Sequence, residues 1–228
     1  MNGLVLWLNN GTWLVDGGYY WWPDSSSKHH DFGVGLTSQD PTVDPAALGG
    51  RDALRFTAAS LTDMFFNPAT TDFQWGTAPF VTEVVVNPGA CTTPCAVWFA
   101  SALGPAPDSV EILVSSADGG SAVVATAALT YVPVGNPAGK SQGSSAPFPS
   151  RQGHLLGVRR TGDTQAEVRV DGVAAPFTLP SGVTFQFPEN GNLGGPLDGD
   201  LGEVVAAQSP SDADVAQLEA YLKAKFAL

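Results

Sequence analysis

The chain has 228 residues, with 22 acidic against 10 basic side chains and a formal net charge of −12. Charged residues make up only 14%, well below the roughly one quarter usual in globular proteins. There is no basic cluster beyond Arg159–Arg160, which excludes nucleic acid and an anionic membrane surface as partners, because both need clustered cations. Apolar residues at 43% are ample for one core, since a chain of this length buries roughly 70% of its unfolded surface. The 26 glycines and 18 prolines follow no collagen-like period and read as turns.

The chain opens with "NGLVLWLNNGTW", a strand over Leu4–Leu8 followed by a turn-prone "NNG". It lacks a basic leader and a long apolar run, so neither a signal peptide nor membrane insertion is expected. "VDGGYYWWPD" then sets four aromatics in series, Tyr19, Tyr20, Trp21 and Trp22. An extended chain sends Tyr19 and Trp21 to one side and Tyr20 and Trp22 to the other. One pair can enter the core. The other must lie under a loop, stack on a sugar, or enter a protein interface, where Tyr and Trp are favoured. All four are candidate binding residues.

"WPDSSSKHHDF" follows at once. Adjacent His29 and His30 share a face neither in a strand nor in a helix, and Asp24 and Asp31 add no ordered metal-ligand spacing. The expectation is a hydrogen-bonded turn in which Asp24 and the serines accept backbone N–H groups.

"ALRFTA" (Ala53–Ala58) and "FVTEVVVN" (Phe80–Asn87) read as strands, the second with Phe80, Thr82, Val84 and Val86 on one face and Glu83 on the other. Cys91 and Cys95 stand in "NPGACTTPCAVW". They are either free thiols or a small local disulfide; zinc would need two further ligands. "AVWFASA", "SVEILVSS" and "AVVATAALTYVPV" continue the β pattern, and "GNPAGKSQGSSAPFPS" (Gly135–Ser150) reads as a long loop.

After "HLLGVRR", the stretch "AEVRVDGVAAPF" is the clearest hairpin. Ala166, Val168 and Val170 form its buried face, while Glu167, Arg169 and Asp171 are assigned to solvent. Asp171–Gly172 supplies the two positive φ values of a type I′ turn. The terminal "SPSDADVAQLEAYLKAKFAL" reads as a helix over about 211–226. Ser211 is its N-cap with Asp214 at the third position, and Lys223 and Lys225 suit its C-terminal end. Val215, Leu218, Leu222 and Phe226 make an apolar stripe that would seal an edge or end of the fold. Roughly ten short strands and one terminal helix imply a single all-β domain over 1–228, two packed antiparallel sheets.

Several of these stretches share a pattern: "LVLWLNNGTW", "WWPDSSSKHHDF", "GGRDALRF", "FVTEVVVNP", "AEVRVDGV" and "LDGDLGEVVAAQSPSDADVAQLEAYLKAKFAL". They resemble the laminin-G-like jelly-roll domains, of bacterial and phage type, in the concanavalin A-like lectin/glucanase superfamily. The resemblance covers nearly the whole chain, and the last stretch is the most specific. It implies a concanavalin A-like jelly-roll sandwich with a C-terminal amphipathic helix, and a turn at "WPDSSSKHHDF" that locks the first strands together. Some such domains bind calcium, for which "LDGD" offers Asp198 and Asp200; no other cofactor is expected.

Members of that superfamily bind glycans or proteins, cleave polysaccharides, or build surfaces, so fold alone does not select a function. Its glucanases carry Glu-x-Asp-x-Glu on one strand. Here "EVRVD" has Arg169 between Glu167 and Asp171, and in "DGDLGE" Glu203 falls one residue out of phase with Asp198 and Asp200. Retaining hydrolysis needs two carboxylates about 5 Å apart, and no phosphate loop, HExxH or GxSxG replaces them. No enzyme is expected. The missing export signal, expected order at both ends and a lysine-poor surface favour a structural or attachment protein, a phage virion component such as a capsid decoration or tail protein. Its partners would be other subunits of an oligomeric assembly, because a charge-poor surface is buried at lower desolvation cost. The alternative is an extracellular glycan-binding module of a bacterial surface or secreted protein.

Overall fold

Apolar side chains at every second position let each strand give one face to a shared core. The computed structural model builds two antiparallel sheets on that pattern. It describes residues 1, 3–16, 19–34, 40–57, 62–66, 72–89, 91, 93–101, 108–118, 121–131, 139–186, 190–194 and 197–228. The smaller, 8-stranded sheet runs Val173–Thr178, Gln165–Val170, His154–Arg160, Phe80–Pro88, Gly199–Gln208, Arg51–Phe56 and Thr42–Leu48, with Leu4–Leu8 also paired to Gly199–Gln208. The larger, 10-stranded sheet runs Gly139–Ser144, Ala122–Tyr131, Ser109–Ser116, Cys95–Ser101, Asn190–Leu193, Met64–Phe66, Phe32–Val34, Tyr19–Trp22 and Leu14–Asp16, with Phe148–Pro149 on Ala122–Tyr131. Gln74–Gly76 and Phe185–Gln186 form a separate pair.

The described residues hold twice the expected number of strands. Those the sequence hid are short, such as Met64–Phe66 and Asn190–Leu193, and three or four residues cannot display a period. Thr42–Leu48 was hidden by Pro45, which an outermost strand tolerates because its outer N–H groups need no partner; there the register shifts between Asp44 and Leu48, and Ala46 turns left-handed at φ 57°. Much of the expected loop Gly135–Ser150 is also strand: Gly139–Ser144 pairs with Thr126–Tyr131 at a sheet edge, while 135–138 lies outside the described residues.

Between the sheets lie Trp22, Trp75, Trp98, Phe32, Phe56, Phe73, Phe80 and Phe185, all closed to solvent. Trp75 stacks on Phe80 with ring centroids 4.3 Å apart. Arg160 is also fully buried, and its guanidinium donates to the carbonyls of Gly76, Gly162, Asp163 and Val183, tying the small strand pair to the sandwich. Its neighbour Arg159 points the other way, to Glu167 and Asp212.

The turn expected at "WPDSSSKHHDF" is present and depends on one carboxylate. Asp24 Oδ1 accepts the N–H groups of Trp7 and Ser26, each at 2.8 Å, and Oδ2 accepts the His30 N–H and the Ser26 hydroxyl. Asp31 accepts the Asp24 N–H in turn. This knot joins Leu4–Leu8 to the segment after Trp22.

The helix Asp212–Phe226 forms with the capping box read from sequence: Ser211 Oγ accepts the Asp214 N–H at 3.1 Å and the Asp214 carboxylate accepts the Ser211 N–H. It does not seal an edge. Val215, Leu222 and Phe226 lie on the outer face of the smaller sheet, against Val81 and Ala207 and against Leu48, Ala53, Val85 and Leu155. The hairpin face assigned to solvent is therefore partly covered. Asp171 and Gly172 do take φ 53° and 86°, but Arg169 donates to Glu219 on the helix and to Glu167 at 2.6 Å each. Asp171 accepts the Leu155 N–H and contacts His154.

Glu83 lies under this layer, fully buried, and neither carboxyl oxygen has a hydrogen-bond partner among the described residues. It rests over Gly157, where a Cβ would come within 2.5 Å of Oε2. Burial, then the charges of Glu219 and Glu167, push its pKa up to about 8 despite Arg169 and Arg159 nearby. The folded value exceeds the ordinary carboxyl value of 4.5. The group's contribution to stability is thus complete below that value and is lost as pH rises through about 8.

Two outcomes follow. Glu83→Gln is expected to change the melting temperature little at pH about 5 and to raise it relative to wild type above pH about 8; parallel thermal melts of both proteins across that range check this. Asp24→Ala strands three backbone donors and is expected to cost about 3 kcal/mol or more in urea denaturation.

Candidate functional site

The strand Tyr19–Trp22 pairs with Leu14–Asp16 on one side and Phe32–Val34 on the other. Its side chains alternate as the sequence implies. Trp22 is fully buried, its Nε1 donating to the Asn9 carbonyl at 2.9 Å and its ring meeting Trp13 edge-on at 5.8 Å. Tyr20 is half-buried against the core. Tyr19 and Trp21 face out, 51% and 46% exposed.

Trp21 is seated by its neighbour. It lies in register with Gly33, and a Cβ at Gly33 would come within 2.7 Å of Cζ3 and 2.9 Å of Cε3. The six-membered ring therefore rests on the glycine backbone, in space that any side chain would fill. Leu14, opposite Trp21 on the outermost strand, is 59% exposed and extends the apolar surface. The same register row continues across the sheet through Phe65, Asn192, Phe99, Glu111, Ala128 and Gln142. Asn192 Nδ2 donates to Asp63 at 3.0 Å, and Ser109 Oγ donates to Glu111. Leu14, Tyr19 and Trp21 are thus exposed at one end of this outer face, and the half-buried Asn192 and Glu111 share the Trp21 register row farther along.

Asp198 and Asp200 lie elsewhere, on the outer face of the smaller sheet. Arg55, Asp200 and Asn87 stand in one register row across three strands. Arg55 Nη1 donates to both Asp200 oxygens at 3.2 and 3.3 Å and Nη2 to Asp198 at 3.3 Å, while Asn87 Nδ2 donates to Asp200 at 3.0 Å. Burial, chiefly, raises the Asp200 pKa. The donor set does not fit calcium as arranged, because a guanidinium already supplies positive charge between the two carboxylates. Glu203 departs from the phase read in the sequence: a register shift between Leu201 and Glu203 carries it onto the same outer face as Asp200. It is engaged there, accepting from Trp7 Nε1 at 2.8 Å and pairing with Lys225 at 2.5 Å. Glu167 is likewise paired with Arg169. Cys91 and Cys95 are joined in a disulfide, Cα atoms 6.0 Å apart.

The sequence matches no family model and no curated protein. Similarity is found between structures. Domain 4 of an extracellular GH43 arabinanase from Geobacillus stearothermophilus, solved with arabinotriose, superimposes with a TM-score of 0.61 at 14% identity, covering 95% of this chain and 98% of that one. The botulinum neurotoxin type C structure, described as depending for cell entry on two ganglioside molecules, gives 0.64 at 10% identity. The binding domain of Paraclostridial Mosquitocidal Protein 1 gives 0.62 at 8%. The chain spans about half the length of the two toxin chains, 52% in each case. Identities this low show the fold: a mostly antiparallel, two-sheet, jelly-roll-like sandwich closed by a C-terminal helix.

Proposed function

We propose that this chain is a non-catalytic glycan-binding module whose contact surface is the outer face of the larger sheet around Trp21 and Tyr19. The observation that carries this reading is the seating of Trp21: one side of the indole rests on Gly33 while nearly half the residue stays open to solvent. A rigid, open aromatic face suits the apolar C–H face of a sugar ring, and the amides and carboxylates along the same sheet suit its hydroxyls. The arabinanase domain, solved with arabinotriose and matched along nearly its whole length, supports the same ligand class. So does the ganglioside dependence of the type C toxin, less directly because only half of that chain corresponds.

This neighbourhood of toxin and extracellular-enzyme domains favours a module of a surface or secreted protein over a virion component. The carboxylates of the two candidate strings are each paired with a basic side chain, Glu167 with Arg169, Asp171 with His154, Asp198 and Asp200 with Arg55, and Glu203 with Lys225. Catalysis is therefore not part of the proposal.

Binding of arabinotriose and of sialylated ganglioside oligosaccharides, measured by calorimetry after a glycan-array screen, tests it. Trp21→Ala is expected to weaken the glycan that binds by at least about tenfold, ~1.4 kcal/mol. Gly33→Val, which leaves Trp21 in place but removes its seat, is expected to reproduce most of that loss. Binding indifferent to both changes would overturn the site. A Trp21→Ala protein that instead dissolves an oligomer without affecting any glycan would favour the assembly reading.

A further inference from the structure

The part of the smaller sheet's outer face that the helix leaves uncovered holds a cleft of about 350 Å³ over the Arg55–Asp200–Asn87 row. Asp44 and Ala47 of the outermost strand form one wall, Gly89 and Arg151 the other, and Asp198 lies at one end. The volume lies at the lower end of the range for small-molecule sites, about 300–1,000 Å³. The floor is built rather than incidental. Asp200 is 1% exposed and fixed by Arg55 and Asn87. With its Nδ2 committed to Asp200, Asn87 turns Oδ1 away from that bond, and this buried oxygen has no donor among the described residues. Arg151 is pinned to the wall by its N–H, which donates to the Pro88 carbonyl at 2.7 Å, and its side chain is exposed.

Charge selects the ligand. Three carboxylates, Asp44, Asp198 and Asp200, face two guanidiniums, Arg55 and Arg151. The lining sums to −1, so an anion is repelled, and a cation gains only one uncompensated carboxylate while meeting two guanidiniums. A neutral molecule rich in hydroxyl groups uses both: its O–H groups donate to the carboxylates of Asp44 and Asp198 above the Asp200–Asn87 floor, and its oxygens accept from the arginines. We infer that this cleft binds one neutral sugar residue through its hydroxyls, a second glycan contact on the opposite face of the sandwich from Trp21. It shares the ligand class of the proposed function and none of its residues.

Two-dimensional amide NMR of the full chain, titrated with free L-arabinose, D-galactose and D-glucose, tests the inference, with glycine and inorganic phosphate as zwitterionic and anionic comparators. At least one sugar is expected to shift the amides of Asn87, Gly89, Arg151 and Asp200, and to do so equally in Trp21→Ala. Arg151→Ala, an exposed change that leaves the floor intact, is expected to weaken that titration by about tenfold, the equivalent of one hydrogen bond to a charged group. Asn87→Ala is expected to act in the same direction. No sugar-dependent shift at these amides, or a stronger response to glycine or phosphate, overturns the inference. Shifts confined to the surroundings of Trp21 would also overturn it while leaving the proposed function standing.

Discussion

The fold depends on burying both faces of one strand pair, Phe80–Pro88 and Gly199–Gln208. Their inward residues, Phe80, Val84, Val86, Leu201, Val204 and Ala206, enter the aromatic core, and their outward residues Val81, Val85 and Ala207 are covered by the terminal helix. A strand covered on both sides carries a continuous apolar run, as these do, and antiparallel sheets more often leave one side wet. Glu83 is the cost of that arrangement. It is a carboxyl group kept neutral in a layer that excludes water, where a charged form would need a partner that the sheet and helix do not supply.

The helix covers part of the smaller sheet's outer face, while the larger sheet keeps Leu14, Tyr19 and Trp21 exposed at one edge of its own. That asymmetry makes Trp21 stand out. The exposed aromatics Tyr19 and Trp21 belong to a strand whose alternate residues pack inward, Tyr20 half-buried against the core and Trp22 fully buried with its indole N–H bonded to Asn9. The Asp24 knot holds the chain immediately after Trp22 and ties it back to the first strand. The dense run of polar side chains after the tryptophans thus holds its own turn and the neighbouring strands in place.

Much of this was readable in the sequence. Strict alternation at Tyr19–Trp22, the Asp171–Gly172 turn, the Ser211 cap and the apolar stripe of the helix are local signals, and each appears in the structure where its residue types place it. The features that escaped are nonlocal. Nothing near Gly33 says that an indole will lie on it, because the pairing brings together residues from two strands with a turn between them. The row Arg55–Asp200–Asn87 draws on three strands spread over most of the chain, and Glu203 changed face because of a single-residue bulge whose presence no period of two can show. The hairpin face of Glu167 and Arg169 reads as solvent-facing for a similar reason: its cover is a helix whose Glu219 lies 50 residues beyond Arg169.

The outermost strands at the two ends of the smaller sheet, Thr42–Leu48 and Val173–Thr178, each contain a proline, Pro45 and Pro176. A proline has no N–H to offer an incoming backbone, and the shifted register at Asp44–Leu48 bends that margin further. Lateral accretion of strands is thereby disfavoured at both rims of the smaller sheet. Copies of this domain meeting at these two rims would abut through side chains without extending the smaller sheet from one copy into the next.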